Sequence, residues 1–379
     1  MDFRPTEAEE VTRQAVREFA RREIAPHVME WDEAQAFPSG LLAQLGSLGL
    51  LGIQFPSRYG GAGLSAVEYC ICIEELARVD PTIALTVAAH NGLAAAHIAT
   101  FGSESQKARW LAPLARGEFL GAWALTEPQA GSDAGSLRTR ARRDGDGWVL
   151  DGTKTFTTHA GLAGLTVVMA VTDPAARRRG ISAFVVERGA PGLSAGRKEN
   201  KLGMRASATA DTRLDGCRVA ADHLLGREGH GFADAMAVLD AGRIGIAALA
   251  VGLAQGAFDA ARRHAAERRQ FGRPLASFQA TQWKLADMAT GIDAARLLTY
   301  RAAYLKDQGR PTTRESSMAK LYASEIAVRA AGECVQIHGG YGFVKDYPAE
   351  KLYRDVKLLT IGEGTSEIQR VVIARQYLG

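Results

Sequence analysis

The sequence predicts an α+β protein with an N-terminal helical domain, a central antiparallel β domain of barrel-like form and a C-terminal four-helix bundle. Apolar residues recur at steps of three and four before about residue 120 and after about residue 226, whereas strand-like runs lie between. At 379 residues the chain is too long for one ordinary core. We therefore expect domains at residues 1–120, 121–226 and 227–379.

The first 120 residues carry helix-start signals at three places. At each, a Ser or Thr precedes a Glu or Gln by three residues, which is the spacing of a capping box. The pairs are Thr6 with Glu9, Ser65 with Glu68, and Ser103 with Gln106. A helix is expected to begin at each pair.

Residues 121–226 carry strand and turn signals instead. The segments Asp144–Gly147 and Asp151–Gly152 each predict a hairpin turn. Apolar, β-branched runs at 165–169 and 181–186 follow at hairpin spacing. These signals predict an antiparallel domain and leave no parallel sheet for a dinucleotide-binding unit.

Three long stretches after Gly231 return to the helical period. They run from Ile244 to Ala261, from Leu285 to Leu305 and from Leu321 to Val335. Stepping by three and four over such lengths is what antiparallel bundle packing requires.

Composition and charge narrow the classes of function. The net charge is +4 and most arginines alternate with acids, which argues against a nucleic-acid-binding stripe. Four cysteines without a Cys-x-x-Cys pair predict a reduced, metal-free protein. A helix start at Thr6 leaves no leader, and the most apolar helical stretch, Ile244–Phe258, falls short of the ~20 residues that span a bilayer. We expect a soluble, cytoplasmic protein that binds neither nucleic acid nor membrane.

One carboxylate near the C-terminus is placed in an unusual way. Glu363 lies between Gly362 and Gly364, just before an apolar helix that Ser366 and Gln369 are predicted to cap. Flanking glycines let a ligand approach the backbone, and a carboxylate held there suits a general base. On this stretch alone, a solvated loop glutamate is the alternative.

Three further segments combine polar side chains with glycine. Ala124–Asp133 gathers hydroxyls and small residues suited to a polar ligand edge, with a structured turn as the alternative. Arg268, within Glu267–Gly272, could hold a phosphate, although single arginines are more often surface residues. The glycines of Gln336–Phe343 would let main-chain amides face an anion, or one of them ends a helix.

These motifs together resemble the acyl-CoA dehydrogenase family, and the resemblance covers essentially the whole chain. Ala124–Ser136 and Gln336–Asp355 match that family's two signature patterns, and Gly362–Arg370 is similar to its catalytic loop. The predicted domain order is also the family's. Leu239–Ala247 and Ile361–Glu363 are most similar to the short-chain, straight-chain branch.

The resemblance implies an FAD-dependent enzyme of fatty acid β-oxidation that converts a fatty or short branched acyl-CoA to the trans-2-enoyl-CoA. Glu363 would remove the proton alpha to the thioester while a hydride leaves the beta carbon for the flavin. Its backbone amide would help polarise the thioester carbonyl. Because an ordinary Glu, near ~4.3, is a weak base at neutral pH, burial is expected to raise its pKa. Some relatives carry the base on the first bundle helix, where this sequence has Gly242.

The resemblance also implies partners and binding residues. Electrons would pass to an electron-transfer flavoprotein, and the enzyme would be a homotetramer built as a dimer of dimers. The residues that it assigns to FAD are Leu125, Thr126, Gly131, Ser132, Phe156 and Thr158. Those that it assigns to the flavin of a neighbouring subunit are Arg268, Phe271, Gln279, Gln336, Gly339 and Gly340. Thr365 and Glu367 are assigned to the adenylate portion of FAD. Its substrate positions are Ser132, Asp240, Arg243 and Gly364, with the acyl chain expected near Thr86, Ala89, His90 and Leu93.

Four residues depart from the family's pattern. Gly362 stands where many relatives have Tyr, which opens the wall beside the base. Phe156 replaces a common Trp and keeps an aromatic face without the indole donor. Gln129 and His159 replace a common Gly and Asn. His159 could titrate near neutral pH, although a loop histidine without a catalytic role is the favoured interpretation.

Two other functions remain open on the same fold. A flavin oxidase or monooxygenase would use oxygen as the electron acceptor, and a non-catalytic DNA-binding relative would use none. The presence of Glu363 and the lack of a basic C-terminal extension argue against the DNA-binding alternative.

Overall fold

The computed structural model describes residues 4–378 and confirms the α+β class, with helical regions on both sides of a central sheet. All three predicted capping boxes are present. The N-terminal helices are α1 (Glu7–Phe19), α2 (Val28–Ala34), α3 (Leu41–Ser47), α4 (Ala66–Val79), α5 (Pro81–Ala89), α6 (Ala96–Phe101), α7 (Glu104–Gln106) and α8 (Ala112–Ala115). A π-helical segment, His90–Ala95, joins α5 to α6.

The central sheet contains eight strands in the order β6-β7-β3-β2-β4-β5-β8, with β1 beside β4. They are β1 (Gly121–Ala124), β2 (Arg140–Asp144), β3 (Gly147–Thr158), β4 (Leu165–Val171), β5 (Ile181–Glu187), β6 (Leu193–Lys198), β7 (Thr209–Ala220) and β8 (Leu224–Leu225). Most pairs are antiparallel, as predicted, but β4 pairs in parallel with β1 and, at one register point, with β2. The sheet formed by these described strands is open and does not close into a barrel.

One of the two predicted hairpin turns is present. Strands β2 and β3 pair with Asp144 opposite Gly147, so the turn is Gly145–Asp146. The second, at Asp151–Gly152, is wrong because β3 runs straight through it. Gly152 instead lies where the register with β7 shifts, and a Cβ there would come within 2.8 Å of the Thr139 backbone. The glycine therefore marks a bulge and a close approach between strands.

The C-terminal region contains the predicted long helices. They are α9 (Gly231–Glu267), α10 (Gln279–Asp307), α11 (Thr313–His338), α12 (Pro348–Asp355) and α13 (Ser366–Leu378), with a small ribbon of β9 (Arg269–Gln270) and β10 (Arg273–Pro274). Helix α9 also packs against α4, so the N-terminal and C-terminal helices share one core. A Cβ at Gly252 or Gly256 would overlap a carbonyl oxygen of α4, which explains that glycine pair by close helix packing.

Helix α9 is longer than the apolar stretch predicted from the sequence. It has 37 residues, and its most apolar 18-residue stretch has a mean hydropathy of 1.7. By length and composition alone, this helix could span a membrane. The run Pro81–Phe101 could do so as well, with a mean hydropathy of 1.2. Within the described chain, 72% and 78% of these windows are buried inside the protein. Core helices of a soluble protein have this character, and the expectation that no helix reaches spanning length is wrong.

Candidate active site

The loop that carries Glu363 joins a 3-10 turn, Val356–Thr360, to α13. Glu363 itself has a φ of +52°, a conformation that costs energy for a residue with a side chain. Gly364 follows at φ +95°, and a Cβ there would lie 2.7 Å from the Gln369 side-chain amide. That amide donates to the carbonyls of Glu363 and Gly364 at 3.2 and 2.9 Å. The loop is thus held in a strained shape by a side chain of the following helix.

The predicted cap of α13 is wrong by one residue. Ser366 is the first residue of the helix, and the hydroxyl of Thr365 accepts from the Ile368 amide at 3.3 Å. Gln369 does not complete a capping box, because its amide supports the Glu363 loop instead.

The carboxylate of Glu363 lies over Gly242 of α9. A Cβ built on Gly242 would be 2.5 Å from Oε2 of Glu363 and 3.4 Å from Cδ2 of Leu93. Oε2 is buried and has no hydrogen-bond partner among residues 4–378. The interpretation of Glu363 as a solvated loop residue is therefore wrong.

The electrostatic environment moves the pKa of Glu363 toward neutral pH. Burial raises the pKa of its carboxyl to about 7, against the opposing effect of Lys320 and Arg243, whose positive charges favour the ionised form. A base with a pKa near the working pH combines sufficient strength with a large ionised fraction.

Lys320 on α11 is a component of the site that the sequence analysis missed. Its side chain is fully buried, and Nζ donates to the carbonyl of Gly364 at 2.7 Å. Burial lowers the pKa of Lys320 to about 8, although the charge of Glu363 opposes this. The sequence did contain a signal for its burial. Lys320 lies four residues after Ser316 and four residues before Ser324, so the three side chains share one face of α11, and that face is buried.

Two of the predicted substrate residues are joined on α9. Arg243 is buried, and its Nη1 donates to Asp240 at 2.5 Å and to the Ser317 hydroxyl at 3.4 Å. The other oxygen of Asp240 accepts from the Thr313 hydroxyl at 2.6 Å. The Nε of Arg243 is buried without a protein partner in the described part of the chain. These contacts fix the two side chains, which are one helical turn apart, on either side of Gly242 in the sequence.

The predicted flavin loop is anchored by a buried ion pair. Lys154 of β3 donates to Glu127 at 2.7 Å and to the carbonyl of Leu125 at 3.2 Å. Glu127 also accepts from the backbone amides of Arg138 and Thr139, at 2.6 and 2.9 Å. Burial opposes ionisation, but Lys154 and these donors outweigh it and hold the pKa of Glu127 at about 2. Both ends of the loop are tied to one carboxylate.

Phe156 presents an aromatic ring beside this loop. It lies where the register between β3 and β7 shifts, has a φ of +53° and leaves 65% of its surface exposed. The neighbouring Thr155 amide donates to the carbonyl of Thr126 at 2.9 Å, which ties the strand to the loop. Gly131 and Ser132 are exposed on the same loop. An exposed ring held in a strained conformation beside backbone amides fits a planar cofactor ring.

The residues predicted to reach a neighbouring subunit's flavin lie at the other end of the bundle. Arg268 follows the end of α9, and its guanidinium lies 5.2 Å over the ring of Tyr341. Phe271 has a φ of +51° and is 94% exposed. Gly242 and Arg268 are separated by about 39 Å along the helix axis, at 1.5 Å per residue. Gly242 and Arg268 therefore cannot serve one site in the same chain. The other residues of this predicted set are exposed at the same end of the bundle as Arg268: Gln279, Gln336, Gly339 and Gly340.

Two buried histidines, His159 and His90, form hydrogen bonds to backbone groups and have a structural role. His159 is 1% exposed, and its Nδ1 donates to the carbonyl of Gly121 at 2.9 Å. Burial lowers the pKa of His159 to about 4, which agrees with the favoured interpretation of a histidine that does not titrate near neutral pH. His90 accepts from the Gly121 amide at 3.1 Å and bonds the Leu51 and Leu114 carbonyls. It anchors β1, and its ring is committed to backbone groups rather than to an acyl chain.

Comparison with known proteins agrees with this arrangement. Residues 6–118, 122–217 and 229–378 match the N-terminal, middle and C-terminal domains of acyl-CoA dehydrogenase. A short-chain specific acyl-CoA dehydrogenase of Clostridium acetobutylicum is 46% identical over 374 residues, spanning 99% of both chains.

Solved structures extend the match to three dimensions. Butyryl-CoA dehydrogenase of Megasphaera elsdenii superposes with a TM-score of 0.98 at 41% identity, covering all of both chains. A chain solved in a study of the electron transferring flavoprotein of Acidaminococcus fermentans gives 0.99 at 45% identity, again over both whole chains. The class is that of oxidoreductases acting on the CH–CH bond of an acyl-CoA. The chain belongs to the acyl-CoA dehydrogenase family, whose members are flavoproteins of fatty acid metabolism.

Proposed function

We propose that this protein is an FAD-dependent dehydrogenase of short, straight-chain acyl-CoA thioesters with Glu363 as its base. The observation that carries the proposal is the buried carboxylate over Gly242, with a pKa of about 7 and no competing hydrogen bond to Oε2 among residues 4–378. A free, desolvated carboxylate oxygen is what abstraction of a weakly acidic C–H proton requires. The short-chain preference is supported by the similarity to a short-chain specific acyl-CoA dehydrogenase and to a butyryl-CoA dehydrogenase.

We assign separate roles in the reaction to Glu363, to Lys320 and to the cofactor. Glu363 would take the proton alpha to the thioester, and its backbone amide would help polarise the thioester oxygen. Lys320 fixes the carbonyl of Gly364 and so limits rotation of the loop. FAD, when bound, supplies the acceptor for the hydride that leaves the beta carbon.

We assign the cofactor and substrate positions to the residues expected from the family resemblance. Leu125, Thr126, Gly131, Ser132, Phe156 and Thr158 would hold the flavin, with Thr365 and Glu367 toward the adenylate. Arg268, Phe271, Gln279, Gln336, Gly339 and Gly340 would serve the flavin of a second subunit, which requires an oligomer, proposed to be a homotetramer. Ser132, Asp240, Arg243 and Gly364 would bind the CoA thioester. The proposed domains are residues 1–120, 121–226 and 227–379.

An electron-transfer flavoprotein is the proposed electron acceptor, and the cytoplasm the proposed location. A chain from the study of such a flavoprotein matches this one over its whole length, and bacterial relatives support a soluble enzyme. On this proposal the reduced protein should react slowly with oxygen while substrate or product covers the flavin.

Anaerobic reduction by butyryl-CoA tests the proposal. The purified yellow protein should lose its flavin absorbance within seconds, and the reduced form should reoxidise rapidly with a ferrocenium acceptor but slowly in air. Rapid reoxidation by air would instead support an acyl-CoA oxidase or monooxygenase on the same fold. Absence of bleaching with any acyl-CoA, together with salt-dependent DNA binding, would support a non-catalytic relative.

A further inference from the structure

His159 follows the last residue of β3, and the proposed function assigns it no part. Its backbone has a φ of +68°, and its amide donates to the carbonyl of Ala208 at 2.7 Å. Its own carbonyl accepts from the amides of Leu162 and Ala163, both at 2.9 Å. The backbone at His159 is thus fixed by the β domain itself, and the ring forms a separate hydrogen bond, from Nδ1 to the carbonyl of Gly121 at 2.9 Å.

Gly121, the first residue of β1, is also bound by a second imidazole. Its amide donates to Nδ1 of His90 at 3.1 Å, and Nε2 of His90 donates to the carbonyls of Leu51 and Leu114 at 3.0 and 3.2 Å. Burial lowers the pKa of His90 to about 3 and that of His159 to about 4, so both rings are neutral at pH 7. Both polar backbone groups of Gly121 are therefore held by neutral, buried side chains.

The segment Phe156–Thr158 lies between two hydrogen bonds to β1 and the loop that follows it. Its pairing with β7 is interrupted where the segment begins, and among the described strands β1 pairs with β4 and not with β3. Just before the segment, the Thr155 amide donates to the carbonyl of Thr126 at 2.9 Å. Just after it, the His159 ring donates to Gly121. The segment is thus joined to residues 121–126 at both of its ends.

We propose that His159 is a positioning residue for the flavin, because its hydrogen bond to Gly121 fixes the two chain segments that would hold the cofactor relative to each other. This inference rests on the proposed function, which assigns residues of both segments to FAD. Without the bond, Thr158 would be held to β1 only through Thr155, three residues away. A planar ring that contacts both segments would then lose contacts to one of them.

The chemistry of position 159 defines which residue can replace the histidine. Nδ1 of His and Nδ2 of Asn are the same number of bonds from Cα, and both can carry a proton toward the Gly121 carbonyl. Asn also tolerates a positive φ better than most residues. Glycine adopts the same backbone conformation without strain but has no donor to offer. Asn and Gly therefore separate the hydrogen bond from the backbone conformation.

The rate of FAD release from the holoenzyme, followed by flavin fluorescence, tests the inference. His159→Gly should release FAD about three- to tenfold faster than wild type, which is the scale of one hydrogen bond. His159→Asn keeps a donor in place and should stay within about twofold of wild type. A wild-type release rate in His159→Gly would overturn the inference, as would an Asn variant that releases FAD as fast as the Gly variant.

His97 is the matched control for the loss of a buried imidazole. It is fully buried, burial lowers its pKa to about 4, and its Nδ1 accepts from the side chain of Trp123 at 3.1 Å. Its ring therefore bonds a side chain and not the backbone of β1. His97→Ala should lower the free energy of unfolding and leave FAD release unchanged. Release as fast as in His159→Gly would show that FAD responds to any cavity in this core, which contradicts a positioning role.

A further variant covers the case in which His159→Gly does not fold. His159→Asp has the shape of the Asn variant but sets an acceptor against the Gly121 carbonyl, so it should release FAD faster than His159→Asn. Equal release from these two variants would refute the role of the hydrogen bond. FAD release is measured without substrate. Wild-type protein that holds FAD but is bleached by no acyl-CoA would therefore refute the proposed function and leave the His159 comparison valid.

Discussion

The carboxylate of Glu363 occupies the space that a side chain at Gly242 would fill, since a Cβ built there lies 2.5 Å from Oε2. The two positions come from a C-terminal loop and from the first helix of the bundle, yet they meet at one point. Relatives that carry the base on this helix would thus place it against the same volume. Because position 242 is a glycine, it leaves room for the Glu363 carboxylate.

Replacing the base should abolish flavin reduction without loss of the fold. In Glu363→Gln, the rate of anaerobic reduction by butyryl-CoA should fall at least about a thousandfold, which is the scale of general-base catalysis. FAD content and product binding, followed by the flavin spectrum, should be retained because the amide has the same shape. Undiminished bleaching would show that Glu363 is not the base.

Moving the base across the gap should restore part of the activity. Glu363→Gly alone should be inactive, and adding Gly242→Glu should recover about one to two orders of magnitude in the reduction rate, because both carboxylates reach the same volume. Gly242→Gln with Glu363→Gly is the matched control and should remain inactive. Equal rates in the two double variants would argue against shared space.

The raised pKa of Glu363 should make both the rate of flavin reduction and the stability of the protein depend on pH. Reduction should accelerate as pH rises through about 7, because the base must be ionised. The folded protein binds a proton that the unfolded chain releases between about 4.5 and 7, so stability falls over that window as pH rises. Glu363→Gln should therefore be more stable than wild type by about 3 kcal/mol at pH 8 and equal to it at pH 4. Urea unfolding at both values measures this difference.

Lys320 should tune the base through its charge and hold the loop through its hydrogen bond. Lys320→Gln removes a positive charge that favours ionised Glu363, so the acidic limb of the reduction rate should move to higher pH. The rate at pH 7 should fall about tenfold, with a smaller loss at pH 9. Lys320→Arg keeps the charge and should keep the wild-type pH profile. A loss that is uniform across pH in Lys320→Gln would indicate a structural role alone.

The Lys154–Glu127 pair should govern retention of the cofactor. Lys154→Met leaves a buried carboxylate without its cation, which should cost about 3–5 kcal/mol of the free energy of unfolding. The loop that Glu127 anchors, which we propose to bind the flavin, should loosen, and the purified protein should contain less FAD. The double variant Lys154→Met with Glu127→Gln should be less destabilised than the single one. Full FAD content in Lys154→Met would contradict the anchoring role.

Local patterns in the sequence were sufficient for much of this protein. The capping boxes at Thr6, Ser65 and Ser103, the helical periods and the Gly145 turn depend on neighbours within a few residues. The family could be assigned from motifs of the same short range. The sheet's parallel pairings were missed, because β1 enters beside β4 from the helical region and no local signal marks that contact.

The sequence by itself determined the order of helices, sheet and bundle, and it identified Glu363 as a candidate. Only the tertiary structure decided the burial and the pKa of that carboxylate. Its pKa depends on desolvation and on Lys320 and Arg243, which come from helices distant in the sequence. For the same reason His159 became a buried structural residue. Burial and long-range charge are properties of the packed chain, and no local pattern encodes them.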